Sequence, residues 1–416
     1  MDRIIVRGGY PLQGSVQVRG AKNSTLPLMA ATLLAENECV LHNVPCLHDV
    51  FAMDKIVSEM GMAVDFTGRS MTLDPKNVAS QEAPYELVRK MRASFFVLGP
   101  LLGHFGQARV SLPGGCAIGT RPVDIHLKGL EALGAKIRIE DGYVVAEGRP
   151  VGADISMDFP SVGATENLMM AASRAKGVTR LTNVAREPEI ADLASFLNSL
   201  GAQISGAGTD RITVLGVDEL GGAEHTVIPD RIEAGTFLIA GIATGGDVTV
   251  LNATAEHLPN FVDKLREMGA EVEVHGSKIR AAATNGLKGV DVSTQPYPGF
   301  PTDLQAQTMA LACVAEGTTI IKENVFENRF MQVAELSRMG ADIEVDGNAA
   351  VVRGVAKLSG APVMASDLRA SAALIIAGLT AENGETAISC VYHIDRGYER
   401  IEERLASLGA DIRRDP

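Results

Sequence analysis

The fold is decided by a sequence pattern whose clearest copy is Leu265-Arg266-Glu267-Met268-Gly269-Ala270-Glu271-Val272-Glu273-Val274. Glycine is the residue that most readily adopts the left-handed conformation with which many helices end. The strict alternation of small or apolar with acidic residues after it is typical of a strand. The stretch therefore predicts a helix that ends at Gly269 and continues directly into a short strand.

This signature recurs six times along the chain. Its glycines are separated by 73, 67, 68, 71 and 69 residues and are Gly61, Gly134, Gly201, Gly269, Gly340 and Gly409. Roughly forty residues before each glycine, a polar residue opens a run of small and apolar residues. The six openings are Lys22, Arg92, Ser161, Asp230, Asp303 and Asp367. Because a helix that is apolar on nearly every face must be buried, each repeat predicts a buried helix, a strand, a loop, an amphipathic helix and a hairpin.

Six such repeats predict an α/β fold with helices inside and strands outside, grouped into globular domains. An open solenoid is disfavoured, since each of its helices would keep one face exposed to solvent, whereas these helices are apolar on nearly every face. The sixth repeat stops after one strand at 410–416, and the amino-terminal strand 3–7 supplies the missing partner. We therefore expect one domain of residues 22–229, holding repeats one to three and the Cys116 loop. The second domain combines residues 1–21 with 230–416, holding repeats four to six.

Composition limits the function classes. The 416 residues carry a net charge of −13, no Trp and 4% aromatic residues, which argues against nucleic acid or an anionic membrane as a partner. The chain shows neither a signal peptide nor an uninterrupted apolar run of membrane-spanning length, so we expect a cytoplasmic protein. A phosphate-loop nucleotidase is disfavoured because no G-x-x-x-x-G-K-[ST] motif occurs.

The cysteines and histidines predict neither a disulfide framework nor a metal site. Five cysteines include no C-x-x-C pair, and the eight histidines show no H-x-x-x-H or H-E-x-x-H spacing. We expect no metal and no cofactor. Cys313 and Cys390 lie in apolar runs and are predicted to be inert core residues.

Cys116 has a different setting, in the loop Pro113-Gly114-Gly115-Cys116-Ala117-Ile118-Gly119-Thr120-Arg121-Pro122-Val123-Asp124. The loop follows a strand predicted at 108–112 and leads into a helix whose expected first residue is Pro122. A cysteine close to a helix N-terminus and to Arg121 lies in a positive field that favours thiolate and bound anions. The alternative is a strand-to-helix turn with an incidental thiol.

Equivalent positions of the six repeats face the same direction. We therefore expect the helix openings, and the loops before the amphipathic helices, to cluster at one end of each domain. They contribute Lys22, Asn23, Arg92, Cys116, Arg121, Asp230, Asp303, Arg329, Asp367, Arg369 and Arg396. Helix capping is an adequate alternative for each aspartate, and surface placement is one for Arg329 and Arg396. Lys22 and Arg92 carry a charge that opposes the helix dipole, so they need an anion nearby. The sequence therefore predicts an anion-binding site.

Five separated motifs carry a resemblance that covers essentially the whole chain. They are Ala21-Lys22-Asn23-Ser24, the 113–124 loop, Pro301-Thr302-Asp303-Leu304-Gln305, Asp367-Leu368-Arg369-Ala370 and Asp395-Arg396-Gly397-Tyr398-Glu399-Arg400. This set resembles the UDP-N-acetylglucosamine 1-carboxyvinyltransferase family, the enolpyruvyl transferases that open peptidoglycan synthesis. The resemblance implies a two-domain inside-out α/β barrel with its active site in the cleft between the domains. It also implies transfer of the enolpyruvyl group of phosphoenolpyruvate to the sugar 3-hydroxyl, by addition and elimination of phosphate.

The resemblance also implies a role for each matching residue. Catalytic roles fall on Cys116, Asp303, Lys22 and Arg396, with Asp303 as the base near the 3-hydroxyl and Cys116 as proton donor and site of a covalent adduct. The implied phosphoenolpyruvate ligands are Lys22, Asn23, Cys116, Arg121, Asp367, Arg369 and Arg396. The implied nucleotide-sugar ligands are Asn23, Arg92, Arg121, Pro122, Val123, Asp124, Ile125, Ser161, Val162, Gly163, Asp303 and Val325. Phe159 stands where some relatives carry a basic residue near the diphosphate. The epoxide fosfomycin is expected to alkylate Cys116.

Such an addition needs a base at the hydroxyl oxygen and an acid at the methylene carbon, which a carboxylate and a thiol can supply. The expected partners are the two small-molecule substrates, with no nucleic acid and no membrane, and the chain is expected to be a monomer or weak homo-oligomer. Two alternatives remain at this stage. One is the sister transferase that acts on shikimate 3-phosphate, and the other is a repeat-built binding protein without catalysis.

Overall fold

The computed structural model describes residues 2–88, 92–112, 123–283 and 286–415, with Arg92 and Ala93 described by their backbone alone. By its contacts the chain forms two compact units. Unit A comprises the described residues of 20–112 and 123–228, and unit B those of 2–19 and 229–415. The division into independently folding domains at 21/22 and 229/230 stays a prediction.

The described strands of the two units form six four-stranded sheets. In spatial order, the sheets of unit A are Glu224–Thr226, Cys39–His42, Ser70–Asp74, Ala63–Thr67; Glu82–Ala83, Gln107–Ser111, Tyr143–Glu147, Lys136–Glu140; and Asp154–Ser156, Val178–Thr182, Arg211–Leu215, Gln203–Ser205. Those of unit B are Gln13–Gln17, Asp247–Leu251, Lys278–Ala282, Glu271–His275; Val292–Ser293, Thr318–Lys322, Ala349–Arg353, Asp342–Asp346; and Pro362–Met364, Glu385–Ser389, Arg3–Arg7, Asp411–Asp415. A separate short pair is Leu358–Ser359 with Ala381–Asn383.

Every four-stranded sheet has the same plan: a parallel edge strand, then a central strand, then the two strands of an antiparallel hairpin. The last sheet departs from it in one respect, because Arg3–Arg7 takes the place of a hairpin strand. This strand pairs antiparallel with Asp411–Asp415 on one side and with Glu385–Ser389 on the other. The prediction that the amino terminus completes the sixth repeat is confirmed.

Apart from the short Tyr85–Val88, the described α-helices alternate between largely buried inner helices and more exposed outer ones. In chain order they are Lys22–Ala31, His48–Glu59, Tyr85–Val88, Leu98–Phe105, Asp124–Ala132, Val162–Ala172, Pro188–Ser199, Arg231–Ala243, Pro259–Glu267, Gln305–Ala312, Val333–Arg338, Leu368–Thr380 and Ile401–Ala406. Short 3-10 helices are Thr32–Leu34, Arg92–Val97, Ala255–His257, Thr302–Leu304 and Val391–Arg396.

The inner helices form the core of each unit. Every residue of Gln305–Ala312 is buried, and Leu368–Thr380 is buried from its second residue to its twelfth. These two helices pack on each other and on Arg231–Ala243. Because burying one Leu or Ile side chain contributes about 1.5–3 kcal/mol, helices that are apolar all round are stable only inside. The outer helix Pro259–Glu267, by contrast, buries one face alone.

Three helix starts differ from the sequence-based bounds. Arg92 opens a 3-10 helix and the α-helix begins only at Leu98. Asp303 likewise lies in a 3-10 turn, and its α-helix begins at Gln305. The helix after the Cys116 loop begins at Asp124, while Pro122, its predicted first residue, lies outside the described residues. None of the described helices is long and apolar enough to span a membrane.

The six repeat glycines all have a left-handed backbone, as predicted, with φ between 92° at Gly134 and 110° at Gly201. At Gly269 the N–H donates to the carbonyl of Arg266 at 2.9 Å, and the next N–H, of Ala270, donates to Leu265 at 3.0 Å. This pair of bonds satisfies carbonyls that the end of a helix would otherwise leave unpaired. The glycine is therefore required by its backbone conformation.

Replacing Gly201 by Ala is expected to lower the free energy of unfolding by about 1–2 kcal/mol, the cost of a left-handed backbone for an L-residue. Within the described structure no atom lies within 4 Å of the added Cβ, so the loss reports the backbone alone. The control is Gly221→Ala in the same unit, where φ is not left-handed and the nearest atom is 3.7 Å away. Urea unfolding that shows equal losses for both variants would contradict this account of the repeat.

Candidate active site

Unit B places a carboxylate between two arginines. The turn Thr302–Leu304 is anchored by the buried Leu304 and leads into an inner helix, which puts Asp303 at the start of that helix. Arg369 lies in the first turn of the neighbouring inner helix, and its Nη2 is 2.6 Å from Asp303 Oδ2. Arg329 approaches from the other side, with Nη2 2.7 Å from Oδ1. Both carboxylate oxygens are thus held by a guanidinium.

The charges in this group decide its protonation. Burial alone would raise the pKa of Asp303, but Arg369 and Arg329 more than offset it and hold the pKa well below its usual range. Burial would lower the pKa of Arg369, yet Asp303 keeps it above its ordinary value. Asp303 is therefore ionised at neutral pH and, while both arginines hold it, is a weak base. The ion pairs stabilise the fold above the unfolded-state pKa of Asp303, and this contribution is lost only as pH falls through the lower folded-state pKa.

Arg329 is only 6% exposed, so the alternative of surface placement is wrong for it. Its Nη1 donates to Thr302 Oγ1 at 3.1 Å, and its guanidinium lies 5.0 Å from the centre of the Phe326 ring. The Thr302 hydroxyl in turn donates to Glu323 Oε2 at 2.9 Å. Arg329 is thereby held on three sides.

Glu323 anchors this network. It is 2% exposed, and its Oε1 accepts hydrogen bonds from the Thr294 hydroxyl at 2.8 Å and from the N–H of Val325 at 2.9 Å. Val325, an expected nucleotide-sugar ligand, is half-buried and fixed through its backbone. No sequence pattern pointed to Glu323, because its role depends on partners such as Thr294, which lies 29 residues away.

On its other side Arg369 meets the neutral hydroxyl of Tyr398, and the carboxylate of Asp230 is close enough to act on its charge. Its Nη1 is 3.4 Å from the hydroxyl of Tyr398, which also contacts Thr236 Oγ1 at 2.8 Å and Gln307 Nε2 at 3.2 Å. Burial raises the pKa of Tyr398, so the phenol is neutral at physiological pH. Tyr398 belongs to one of the five motifs, but its contact with Arg369 was not foreseen.

Arg396 ends the 3-10 helix Val391–Arg396 and is half-buried, two residues before Tyr398. The segment is fixed by the preceding Asp395, whose oxygens accept from Nη1 and Nη2 of Arg414 at 2.9 and 2.6 Å. Arg414 comes from the strand that pairs with the amino terminus. This strand of the sixth sheet therefore also fixes, through Arg414 and Asp395, the backbone that carries Arg396.

The three aspartates that open the inner helices of unit B differ in what they bind. Asp230 Oδ1 accepts from the N–H groups of the two residues after Arg231, and Asp367 Oδ1 accepts from those of Arg369 and Ala370. Both are helix caps, as the alternative explanation proposed. That explanation is wrong for Asp303, whose oxygens bind the two arginines. Asp303 is the one of the three that serves no structural cap.

In unit A, Lys22 is the first residue of its helix, which has no side-chain cap and no acidic residue in its first turn. The positive helix start therefore needs an anion, as the sequence predicted. Asp49, 4% exposed and in the first turn of His48–Glu59, supplies one, with Oδ2 3.4 Å from Lys22 Nζ. Asp49 was not predicted, although the need for an anion was a signal, and the binding of a ligand anion by Lys22 stays a prediction.

Two segments predicted to bind the nucleotide sugar come together in unit A. A Cβ on Gly163 would lie 3.3 Å from the ring of His126, two residues after Asp124, and His126 Nδ1 is 3.0 Å from Asn167 Nδ2. Ser161 caps its helix by accepting from the N–H of Ala164 at 3.3 Å. The remaining expected ligands in these segments are the half-buried Val123, Ile125 and Val162 and the exposed Asp124.

Other expected site residues are located only in part. Asn23 is half-buried at the second position of its helix, and Phe159 is 41% exposed before Ser161. Cys116, Arg121 and Pro122 lie outside the described residues, as does the side chain of Arg92.

The described cysteines vary in accessibility. Cys313 is buried, as predicted, and burial raises its pKa to about 12; burial raises that of Cys39 to about 11. The prediction of a core position holds in part for Cys390, which packs against the core of unit B but is only half-buried, and the chain turns there through a left-handed φ of 59° as it leaves its strand. Thiols as buried as Cys39 and Cys313 are poor nucleophiles.

Comparison with known proteins gives one family over nearly the full length. Residues 6–405 match the family described as EPSP synthase (3-phosphoshikimate 1-carboxyvinyltransferase). A UDP-N-acetylglucosamine 1-carboxyvinyltransferase of Granulibacter bethesdensis is 57% identical, covering 100% of this chain and 99% of its own. One of Geotalea uraniireducens is 55% identical over 99% of both chains.

Solved structures agree with this in fold. The enolpyruvyl transferase NikO from Streptomyces tendae matches with a TM-score of 0.90 at 27% identity, covering 100% of this chain and 99% of NikO. The EPSP synthase from Acinetobacter baumannii matches with a TM-score of 0.76 at 17% identity over 100% of both chains, a likeness of fold alone. The expected enolpyruvyl transferase fold is confirmed.

Proposed function

This chain belongs to the UDP-N-acetylglucosamine 1-carboxyvinyltransferase family of enolpyruvyl transferases, and we infer from it that the chain transfers the enolpyruvyl group of phosphoenolpyruvate to the 3-hydroxyl of UDP-N-acetylglucosamine. Phosphate is released, and the product enters peptidoglycan synthesis. The observation that carries the inference is the 57% identity to a relative of that name over the entire chain.

We propose that Asp303 takes the proton of the sugar 3-hydroxyl as its oxygen bonds to the central carbon of phosphoenolpyruvate. Cys116 gives a proton to the methylene carbon, which becomes a methyl group. In the elimination, the Cys116 sulfur takes a proton back from that methyl group, the double bond is restored, and the bond to phosphate breaks with its electron pair leaving on the phosphate. An acid and a base in fixed places are what such proton transfers require.

Positive groups would hold the anionic donor and stabilise the phosphate as it leaves. We propose Lys22, Arg121, Arg369 and Arg396 for this role, with Asn23 and Asp367 completing the site. In support, Arg369 has a pKa above its ordinary value and keeps its charge at any physiological pH.

For the nucleotide sugar we propose Asn23, Arg92, the segments 121–125 and 161–163, Asp303 and Val325. The helices Asp124–Ala132 and Val162–Ala172, which include parts of the two segments, pack on each other, and this supports a joint role for the segments. Fosfomycin is proposed to alkylate Cys116, as the family resemblance implies; of the other thiols, Cys39 and Cys313 are buried and Cys46 and Cys390 are half-buried.

We also propose that the chain works in the cytoplasm, as a monomer or weak homo-oligomer and with no metal or cofactor. The cysteines Cys39, Cys46, Cys313 and Cys390 are free thiols, which suits a reducing compartment.

The function is tested by phosphate release from phosphoenolpyruvate with each candidate acceptor. We expect release with UDP-N-acetylglucosamine and none above background with shikimate 3-phosphate or without acceptor. The second acceptor is included because the matched family is described by that activity. Release only with shikimate 3-phosphate would assign the sister reaction, and no release with either acceptor would leave a binding protein.

A further inference from the structure

The two arginines that hold Asp303 are not equivalent. Arg329 is fixed by contacts besides Asp303: the Thr302 hydroxyl at 3.1 Å, itself tied to the buried Glu323, and the ring of Phe326. Moving Arg329 would disrupt a network of hydrogen bonds that includes the backbone of residues 325 and 326. A guanidinium held in this way stays in place when a ligand binds.

Arg369 is held differently. Its charged partner is Asp303, at 2.6 Å, and its other contact is the neutral hydroxyl of Tyr398 at a long 3.4 Å. A second anion that approached Arg369 would compete with Asp303 for the same Nη2 donor. Because a phosphate or carboxylate can bind a guanidinium through two parallel hydrogen bonds, such an anion could replace the single contact with Asp303.

We propose that Arg369 exchanges its ion-pair partner when the anionic enol phosphate binds: it leaves Asp303 and pairs with the enol phosphate. Asp303 becomes a competent base only when the enol phosphate is bound. Arg329 is a positioning residue that keeps the carboxylate oriented during the exchange. This inference rests on the proposed function, and it adds a step in which binding of one substrate prepares the base for the other.

The charges around Asp303 indicate that it becomes a stronger base when Arg369 leaves it. An opposite charge within about 4–6 Å lowers a carboxyl pKa by about 1–3 units, so losing Arg369 raises the pKa of Asp303 while Arg329 keeps it ionised at neutral pH. The other facing groups do not reverse this: Tyr398 is neutral, and the carboxylates of Glu323 and Asp230 would themselves raise the Asp303 pKa. A base gains strength as its pKa rises toward the working pH.

The exchange is tested by 13C NMR of full-length protein labelled at its aspartate carboxyl carbons, with the Asp303 signal assigned by its loss in Asp303→Asn. In the free protein the chemical shift of this signal should remain that of an ionised carboxylate down to the lowest pH at which the chain is folded. With saturating phosphoenolpyruvate, whose binding is followed by 31P NMR, its pKa should rise by at least about one unit. Arg369→Gln should show the raised pKa without ligand. The control Arg353→Gln, at an exposed ion pair with Asp342, should leave the titration unchanged.

Phosphoenolpyruvate that binds without changing the Asp303 titration would overturn the proposal, and so would equal affinity of Arg369→Gln and wild type for phosphoenolpyruvate.

A second test separates the roles of the two arginines. Arg369→Lys should raise KM for phosphoenolpyruvate by at least about tenfold, whereas Arg329→Lys should lower kcat, shift its pH profile and leave that KM within twofold. Matching changes in both variants would contradict distinct roles. A wild type without acceptor-dependent phosphate release would instead refute the proposed function, whatever the titration shows.

Discussion

Asp303→Asn is expected to lower kcat for phosphate release by about 10²–10⁴-fold, the usual contribution of a general base. The amide cannot accept the proton of the sugar hydroxyl, and it presents no charge to Arg329 and Arg369. Substrate binding should be affected less than kcat, because the two arginines remain in place.

The same change removes the counterion of two nearly buried arginines. Breaking a fully buried pair costs about 3–5 kcal/mol, and since the Asp303 side chain is 24% exposed we expect a smaller loss of unfolding free energy, about 1–3 kcal/mol. Urea unfolding would measure it, and activity is compared where both proteins are folded. The control Asp342→Asn removes an exposed carboxylate that pairs with Arg353 at 3.2 Å. A kcat within threefold of wild type for folded Asp303→Asn would contradict a role as base.

Lys22→Met is expected to lower kcat/KM for phosphoenolpyruvate by about 10²–10³-fold, the cost of removing one charged donor from a developing anion. Methionine keeps much of the length and apolar stem of lysine, so the helix Lys22–Ala31 should form as before. Steady-state phosphate release at varied phosphoenolpyruvate measures the effect.

Asp49 provides an internal comparison for Lys22. Asp49→Asn keeps the ammonium but weakens the contact at 3.4 Å that places it, so we expect a smaller loss of about tenfold. Lys55→Met is the matched control, because Lys55 is exposed on the same helix as Asp49. Equal activity of Lys22→Met and Lys55→Met would show that Lys22 does not contact the donor.

The architecture could be predicted because its determinants are local. A left-handed glycine such as Gly269 and a largely apolar buried helix such as Leu368–Thr380 are fixed by a few neighbouring residues and recur in every repeat. The strand Arg3–Arg7 is the exception, since its partners lie at the other end of the chain, and it was found by counting strands per repeat.

The site could be predicted only as a set of residues. Which side chains pair depends on contacts 26 and 66 residues apart in sequence, as for Asp303 with Arg329 and Arg369. Helix capping was an adequate explanation for each of the three unit B aspartates, and only their three-dimensional contacts separate Asp303 from the two caps. An apolar neighbourhood likewise did not reveal the turn that partly exposes Cys390.

The most direct test follows the transferred carbon atoms. UDP-N-acetylglucosamine is incubated with 13C-labelled phosphoenolpyruvate and wild-type protein, and the label is located by NMR. We predict that it is found in an enol ether at the sugar 3-oxygen, with one phosphate released per ether, and that folded Asp303→Asn forms this product at least about a hundredfold more slowly. Label found only in free pyruvate, or an ether at another oxygen, would contradict the account.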